Sequence, residues 1–245
     1  MKNTAIIIPS RLEAKRFPRK PLAEIKGLPM IIHVLNRAKE AKVGEVFVAT
    51  PDKEIFDLVK KSGEKAILTS DKHFSGSDRS YEAYINNLKD KVDLIINLQG
   101  DMPNIQPKSI SKLEKLMREN NFSVGTLASP IINKSDFTNQ NIVKVQVHEK
   151  LQNNNFLEAI DFFRSKKDLK NQIIYHHIGI YAFTSDALTK YVTLSRSNLE
   201  IERNLEQMRA LQNNIKIGVS LSDSCPLGVD TQSDLVKVTK EMNLQ

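Results

Sequence analysis

The sequence predicts a mixed α/β fold built on a parallel sheet, and two kinds of stretch carry that prediction. Short apolar runs at 5–8, 45–50 and 92–98 are typical of strands buried on both faces. Stretches with helical spacing lie between them, so strand and helix alternate through the first half of the chain. That alternation favours parallel strands joined by right-handed crossovers, with helices covering the sheet.

The elements of the first half follow in order from periodicity and from proline and glycine positions. Apolar residues at helical spacing predict a helix over 30–42, and Pro51-Asp52 open another that stops near Gly63. Pro107 suits the first turn of a helix over 107–118. The remaining predicted elements of this half are a short strand at 66–69 and a helix at 78–88.

The second half is richer in predicted strands. They lie at 124–132, 142–147, 173–183 and 216–221, with helices at 199–211 and 233–242. Between the second and third of these strands, residues 150–172 are polar and poorly periodic, which predicts a lid or subunit-contact insertion. Without a repeat or an interdomain linker, we expect one domain over residues 1–245.

Composition limits the classes of partner. The chain has 245 residues, a formal net charge of +7 and 40% hydrophobic residues, which suits an ordinary folded core. It has no zinc-finger spacing and no RNA-recognition signature, so we expect small anionic substrates and no nucleic acid. The single cysteine, Cys225, and the lack of a leader or long apolar span predict a cytoplasmic protein with no membrane partner.

A basic loop follows the first strand, and Pro18 and Pro21 stiffen it. Because the loop lies at the carboxyl end of a buried strand, where open α/β sheets bind ligands, we expect an anionic group among its charges. A polyphosphate is the simplest candidate, and a solvated surface loop is the alternative. The cations of the basic loop are Arg11, Lys15, Arg16, Arg19 and Lys20.

Two carboxylates are candidates for a metal site. Asp101 follows a buried strand in the turn 99–101, and Asp230 precedes the last predicted helix in 228–231. Mg²⁺ favours one or two carboxylates together with phosphate oxygens, which suits a position beside the basic loop. The alternatives are a turn residue for Asp101 and a helix N-cap for Asp230. The sequence alone leaves open whether the two converge.

Other polar residues have a structural and a functional interpretation. Period two puts His177, Gly179 and Tyr181 on one face of a strand, where a packed structural histidine is the commoner role. The loop 73–79 offers backbone N–H groups to a phosphate or a base edge. A polar trio lies on the predicted helix 199–211, where a solvated face is the alternative: Glu206, Gln207 and Arg209.

These motifs, in this order, resemble the 3-deoxy-manno-octulosonate cytidylyltransferase family. Each motif is weak alone, but nine in register over most of the chain are specific for the fold of the family and for nucleotidyl transfer. They are IPSR…RFPRKPL (8–22), GLPMIIHV (27–34), VFVATPD (46–52), HFSGSDR (73–79), NLQGDMP (97–103), VKV (143–145), HHIGIYAF (176–183), LEQMR (205–209) and GVDT (228–231).

The resemblance implies a CTP- and Mg²⁺-dependent enzyme, usually a homodimer, with a Rossmann-like, glycosyltransferase-A type mixed sheet flanked by helices. It implies that CTP activates an acidic sugar for lipopolysaccharide or another surface polysaccharide, with release of pyrophosphate. The implied catalytic residues are Lys20, Asp101 and Asp230, the two aspartates being metal ligands. The implied nucleotide contacts are Arg11, Arg16, Lys20, Ser75, Gly76 and Gln99. The implied sugar contacts are Gln99, His177, Tyr181, Glu206 and Gln207.

Some positions depart from the pattern of the family. Arg19 stands where Gly is common, Met102 where an acidic residue is usual and Arg203 where Glu is usual, and residues 14–15 replace a Ser/Thr-rich pair. We expect 156–158 to occupy the place of the Phe-Ser-Arg segment that closes on the sugar, which puts Glu158 at its charged position. A carboxylate facing an acidic sugar predicts an altered sugar, for example an amino-substituted one.

Two other functions remain open from the sequence. A glycosyltransferase of the same fold would consume a nucleotide sugar and release no pyrophosphate, although the basic loop suits a full triphosphate better. A non-catalytic nucleotide-binding regulator is the second alternative, because fold constrains function only loosely.

Overall fold

The computed structural model describes residues 3–14, 16–153, 155–166, 169 and 171–243. The chain divides into two compact units, the first formed by Met1–Ser111 with Pro226–Gln245 and the second by Lys112–Cys225. The expectation of one domain over the whole chain stays a prediction. Some residues of the predicted basic loop and insertion lie outside the described residues, namely Lys15, Asn154, Lys167, Asp168 and Lys170.

The first unit contains the predicted alternation of strands and helices. Its strands are β1 Thr4–Pro9, β2 Glu24–Ile25, β3 Leu28–Pro29, β4 Glu45–Thr50, β5 Ala66–Leu68 and β6 Leu94–Leu98. Its helices are α1 Met30–Glu40, α2 Lys53–Lys61, α3 Gly76–Asn87, the beginning of α4 Pro107–Glu119, and, at the end of the chain, α8 Gln232–Asn243. Strands β5, β4, β1 and β6 lie side by side in that order and are parallel, while β2 and β3 form a separate antiparallel hairpin.

Strand β1 lies between β4 and β6, and every residue in it is buried. Ile6 and Ile7 pair with β4 on one side and with β6 on the other. Since all of these strands are parallel, their carboxyl ends meet at one edge of the sheet of this unit. The basic loop after Pro9 and the turn after Leu98 therefore begin at that edge.

An apolar cluster ties the end of the chain to the beginning of the same unit. Val229 and α8 residues Leu235, Val238 and Met242 are buried against Ile25 and Met30. Phe17 of the basic loop packs against the same cluster. Burial of this apolar surface holds the loop 226–231 against the basic loop, although the two are far apart in sequence.

The second unit is a mixed sheet with short helices. Its strands are β7 Val124–Ser129, β8 Lys144–Val147, β9 Leu157–Phe163, β10 Ile173–Thr184 and β11 Ile217–Leu221, and its helices are α5 Ser185–Thr193, α6 Asn198–Arg203 and α7 Met208–Gln212. β7 pairs antiparallel with β10 and parallel with β11; β9 pairs antiparallel with β11 and β8, and β8 pairs antiparallel with β10.

The expectation of an irregular insertion is wrong over Leu157–Phe163, which is strand β9. The sequence obscured it because acidic residues are depleted in strands, and this one carries Glu158 and Asp161. Both charges are paired within the unit, Glu158 with Lys216 and Asp161 with Arg203. The role of residues 150–172 as a lid or subunit contact stays a prediction.

The predicted helix over 199–211 is also wrong as one element. Asn204 adopts a left-handed backbone with φ 51°, which ends α6 before α7 begins. Asn tolerates this conformation better than most residues, so it serves as a helix terminator. The predicted strand 124–132 is shorter than expected because Pro130, directly after β7, cannot donate to a ladder.

In the part of the chain that is described, every helix is too short or too polar to traverse a lipid bilayer.

Candidate functional site

The basic loop is held in a defined path by its own backbone. The N–H of Leu12 donates to Asp52 Oδ2 at 2.8 Å, and the N–H of Arg19 donates to the carbonyl of Leu12 at 2.9 Å. Arg19 has a left-handed backbone (φ 60°) and precedes a short 3-10 turn, Lys20–Leu22. This conformation costs an L-residue about 1–2 kcal/mol, which gives a physical reason for glycine at this position in the family.

Lys20 joins the two candidate metal carboxylates. Its Nζ lies 2.9 Å from Asp101 Oδ2 and 3.4 Å from Asp230 Oδ1. The Lys20 side chain is only 16% exposed, against 31% for Asp101 and 43% for Asp230. Arg16 adds a second cation, its Nη2 lying 2.8 Å from Asp230 Oδ2. The structure therefore brings together these four residues, which the family resemblance assigns to one site and whose convergence the residues alone had left open.

The alternative structural role for Asp230 is excluded by its neighbours. Thr231 Oγ1 accepts from the N–H of Asp234, and Asp234 Oδ2 accepts in return from the N–H of Thr231 at 3.0 Å. This reciprocal pair occupies the first turn of α8, as in a capping box. The Asp230 carboxylate is thus directed to Lys20 and Arg16 instead.

The electrostatics of this cluster suit a small, highly charged cation. Burial alone would lower the pKa of Lys20, but the charges and hydrogen bonds of Asp101 and Asp230 raise it above its ordinary value. Two carboxylates that converge on one cationic group are the oxygen ligands that Mg²⁺ prefers, with phosphate and water completing its shell. Among the described residues, no group of three or more His, Cys, Asp or Glu is arranged to hold a metal ion.

A cavity of about 290 Å³ opens beside Lys20 and Asp101 in the first unit. Ser75 at its wall begins α3, where its Oγ accepts from the N–H of Asp78 at 3.1 Å. The cavity is lined by the end of β1, the basic loop, the start of α3 and the turn after β6: Pro9, Ser10, Arg11, Glu13, Ala14, Lys20, Pro21, His73, Phe74, Ser75, Gly76, Arg79, Gln99, Gly100 and Asp101.

Gln99 is oriented by a buried polar network behind the cavity. Its Nε2 donates to Asn97 Oδ1 at 3.3 Å, and Asn97 Nδ2 donates to Ser77 Oγ at 3.1 Å. Gly76 lies so close to Gln99 that a Cβ on it would come within 3.1 Å of the Gln99 amide. A side chain at position 76 would therefore require the Gln99 amide to shift by a few tenths of an ångström.

The sequence reasoning missed two residues, one in this wall and one bonded to the basic loop. Asp52 fixes the basic loop, and Arg79, which is buried, donates from Nη1 to Thr69 Oγ1 at 2.6 Å and to the carbonyl of Ser70 at 2.8 Å. Burial, followed by the nearby charge of Arg11, lowers the pKa of Arg79. The sequence showed only a charged residue three positions after the start of a helix. That pattern does not predict burial, because the burial of Arg79 depends on tertiary packing.

The candidate sugar residues His177 and Tyr181 lie in the second unit, on β10. Their ring centroids are 5.3 Å apart, so they share a face as predicted. His177 is 7% exposed; its Nε2 is hydrogen-bonded to Thr126 Oγ1 at 3.0 Å, and its ring meets the edge of Phe162. Burial, and then the charge of His176, lower the pKa of His177 to about 3. Their role in sugar binding stays a prediction.

Of the polar trio near α7, Arg209 and Gln207 are buried, so a solvated face is not their role. Arg209 binds Glu200 with two hydrogen bonds, at 2.9 and 2.8 Å. Glu206 is half-buried, and its backbone carbonyl accepts from the Tyr191 hydroxyl at 2.8 Å. Sugar contacts by Glu206 and Gln207 stay predictions.

We expect His177 to make the protein less stable in mild acid. Because its folded-state pKa of about 3 lies below the ordinary 6.5, the unfolded chain takes up a proton that the folded chain refuses. The free energy of unfolding therefore falls as the pH drops below the ordinary histidine pKa of 6.5. The expected loss is about 2 kcal/mol between about pH 7 and pH 5. Urea unfolding across this range, compared with His177→Gln, measures the difference in slope.

The control for this measurement is His148→Gln, which removes an exposed histidine from the same unit. If His177→Gln kept the full acid dependence of the wild-type protein, His177 would not be its source.

Comparisons with known proteins decide the family. A family model described as "Cytidylyltransferase" matches residues 5–217. The chain is 42% identical over 236 residues to the 3-deoxy-manno-octulosonate cytidylyltransferase of Bartonella tribocorum, covering 96% of both chains. It is 42% identical over 233 residues to the protein of the same name from Brucella ovis, covering 95% of this chain and 92% of that one. The chain belongs to the cytidylyltransferase family.

A solved structure agrees with this membership. It is described as CMP:2-keto-3-deoxy-manno-octonic acid synthetase complexed with CTP, and it superposes on this cytidylyltransferase with a TM-score of 0.88. The two are 35% identical, and the match covers 99% of each chain. The predicted α/β nucleotidyltransferase fold is therefore confirmed.

In this cytidylyltransferase, Glu158, one of the residues that depart from the family pattern, forms an ion pair. Glu158, expected to face the sugar, lies at the start of β9, where its Oε2 is 2.8 Å from Lys216 Nζ, and both side chains are well exposed. The stretch 162–164, Phe-Phe-Arg, at the end of the same strand keeps the first and third residues of Phe-Ser-Arg. The assignment of Glu158 to that position, and the charge reversal built on it, stay predictions.

Proposed function

We propose that this cytidylyltransferase transfers the cytidylyl group of CTP to the anomeric hydroxyl of 3-deoxy-manno-octulosonate and releases pyrophosphate. The relatives named above support the sugar, and the solved structure in complex with CTP supports the nucleotide. The observation that carries the proposal is the convergence of Lys20, Asp101 and Asp230 beside a cavity walled by the basic loop.

The chain's own residues have distinct tasks in this proposal. Arg11, Arg16 and Lys20 neutralise the triphosphate, and Lys20 and Arg16 stabilise the charge that grows on the leaving pyrophosphate. Ser75, Gly76 and Gln99 line the wall for the nucleoside. Because the sugar hydroxyl attacks the α-phosphorus in line, catalysis consists of positioning and charge neutralisation, with no covalent enzyme intermediate.

Magnesium belongs to the proposal, with Asp101 and Asp230 as its protein ligands. When bound, it supplies Lewis-acid neutralisation of the phosphate oxygens. A homodimer, a cytoplasmic location and a place in lipopolysaccharide or other surface polysaccharide synthesis are proposed with it, from the family resemblance. Sugar contacts are proposed from the same resemblance for Gln99 of the first unit and for four residues of the second: His177, Tyr181, Glu206 and Gln207.

Pyrophosphate release tests the reaction. Purified protein with CTP, Mg²⁺ and 3-deoxy-manno-octulosonate is expected to release one pyrophosphate for each CMP-sugar formed. Omitting the sugar, or replacing CTP by another nucleoside triphosphate, is the control. The amino-substituted sugar, tested in parallel, is expected to react more slowly than the plain acid, because the relatives at 42% identity are named for the plain acid.

The alternatives give different results in the same assay. Release of a nucleoside mono- or diphosphate from a nucleotide sugar, without pyrophosphate, would make the protein a glycosyltransferase. CTP binding without turnover of any acid sugar would make it a regulator. Either result would overturn the proposed function.

A further inference from the structure

Asn104 is a buried side chain near the candidate site to which neither the family motifs nor the proposed mechanism assigns a task. It lies in the turn that follows Asp101 and is 5% exposed. Its carboxamide uses both of its polar atoms. Oδ1 accepts from the backbone N–H of Leu227 at 3.1 Å, and Nδ2 donates to Glu241 Oε2 at 2.9 Å.

Both of these partners belong to the end of the chain that carries Asp230. Leu227 lies three residues before Asp230 in the loop, and Glu241 lies on α8, which follows it. One more bond joins the same two segments, from the N–H of Val229 to the carbonyl of Asp101 at 2.9 Å. The turn with Asp101 and the loop with Asp230 are therefore bonded at two points, one through a side chain and one through the backbone.

The position of Asp230 along the site depends on which loop residues form these bonds, namely Leu227 and Val229. The apolar cluster of Val229, Leu235, Val238 and Met242 buries this segment but does not fix its position along the chain, because apolar contacts have little directionality. Hydrogen bonds are directional, and a buried carboxamide held at both ends accepts one arrangement. A shift of the loop by one residue would break the bond from the N–H of Leu227 to Asn104 and carry Asp230 away from Lys20.

We infer that Asn104 is the positioning residue that holds the loop 226–231 so that Asp230 stands beside Asp101. In this arrangement it acts through Leu227, which donates a hydrogen bond to its carboxamide, and through Glu241, which accepts one from it. The inference rests on the proposed role of the two aspartates as metal ligands, and partners behind such ligands typically change metal affinity or activity by about 10–100-fold when removed.

The test compares Asn104→Ala and Asn104→Asp with the wild-type protein. Asn104→Asp keeps the acceptor for Leu227 but loses the donor and faces Glu241 with a like charge. Glu241→Ala removes the other end of the bond and serves if the Asn104 variants do not fold. Asn87→Ala is the matched control, because Asn87 is an exposed residue of the same unit whose amide donates to the carbonyl of Ala83 in its own helix, at 3.1 Å.

The first readout needs no turnover. Mn²⁺ binding in the presence of CTP and without sugar, followed by electron paramagnetic resonance, is expected to weaken about 10–100-fold in the Asn104 variants and in Glu241→Ala. Hydrogen exchange of the amides of 227–231 in the metal-free protein is expected to accelerate in the same variants. In Asn87→Ala, both quantities are expected to equal those of the wild-type protein.

The second readout separates positioning from stability. In steady-state assays, the Mg²⁺ concentration for half-maximal rate is expected to rise and kcat to fall, while KM for CTP changes far less because the cations of the basic loop are intact. A lowered melting temperature with unchanged Mn²⁺ affinity and unchanged Mg²⁺ dependence would assign Asn104 a structural role only, and would overturn the inference.

Failure of the proposed function gives a different pattern. If the wild-type protein released no pyrophosphate, the Mn²⁺ and exchange measurements would still decide the role of Asn104. If Asp230→Asn abolished the metal response while the Asn104 variants kept it, the proposed function would stand and this inference alone would fail.

Discussion

Asp101→Asn is expected to lower kcat for pyrophosphate release by roughly a hundredfold or more, with little change in melting temperature. The substitution keeps the size of the side chain but removes one of the two carboxylates that meet at Lys20. Loss of metal-assisted charge neutralisation removes several kcal/mol from the stabilisation of the transition state, and each 1.36 kcal/mol is about a factor of ten. Initial rates at saturating CTP and sugar measure the effect.

The control for Asp101→Asn is Asp57→Asn, which removes an exposed carboxylate on α2 that pairs with Lys53 four residues earlier. Such surface pairs contribute little to stability, so this variant is expected to keep wild-type activity. Near wild-type kcat in Asp101→Asn would show that Asp101 does not serve a metal or the phosphates, and the proposed mechanism would be wrong.

Glu200→Ala is expected to reduce the free energy of unfolding by about 3–5 kcal/mol, which lowers the melting temperature by about 10 °C in a protein of this size. Glu200 and Arg209 are each only 3% exposed, and they form a two-fold hydrogen-bonded ion pair. Removing the carboxylate takes both of these hydrogen bonds and the facing charge from the buried Arg209 guanidinium. Thermal unfolding measures the loss.

Two further variants make the Glu200 prediction specific. Replacing both partners by apolar residues, as in Glu200→Leu with Arg209→Met, is expected to recover part of the lost stability, because no buried charge is then left unpaired. Glu202→Ala, at an exposed position of the same helix, is the control and is expected to be close to neutral. A loss below about 1 kcal/mol in Glu200→Ala would mean that solvent compensates the buried guanidinium.

Much of the first unit was predictable because its signals are local. An uninterrupted apolar run such as β1 reports burial on both faces, and Pro107 reports the first turn of a helix. The prediction of an irregular segment was wrong over Leu157–Phe163, because the two acidic residues of β9 look unfavourable until their partners are known. Those partners, Lys216 and Arg203, lie far along the chain.

Some residues of the candidate site could likewise be predicted from the sequence, and others could not. The basic loop and the turn containing Asp101 could be identified from residue types next to a buried strand, and the order of nine motifs pointed to the family that the comparisons confirm. The role of Arg209 could not be predicted, because a charged residue on a short helix is usually solvated. Arg209 is buried together with Glu200, its hydrogen-bond partner. The break at Asn204 ends α6 and lets α7 turn back, so that Arg209 reaches Glu200.

The sequence by itself determined the α/β class, the basic loop after the first strand, and membership of a cytidylyltransferase family. These features depend on periodicity and motif order, which can be recognised from residues that are close together along the chain. Only the tertiary structure decided that Asp101 and Asp230 meet at Lys20 and that Asn104 bonds the two segments carrying them. The physical reason is that residues far apart along the chain are joined by packing of an apolar cluster and by directional buried hydrogen bonds, neither of which a local pattern reports.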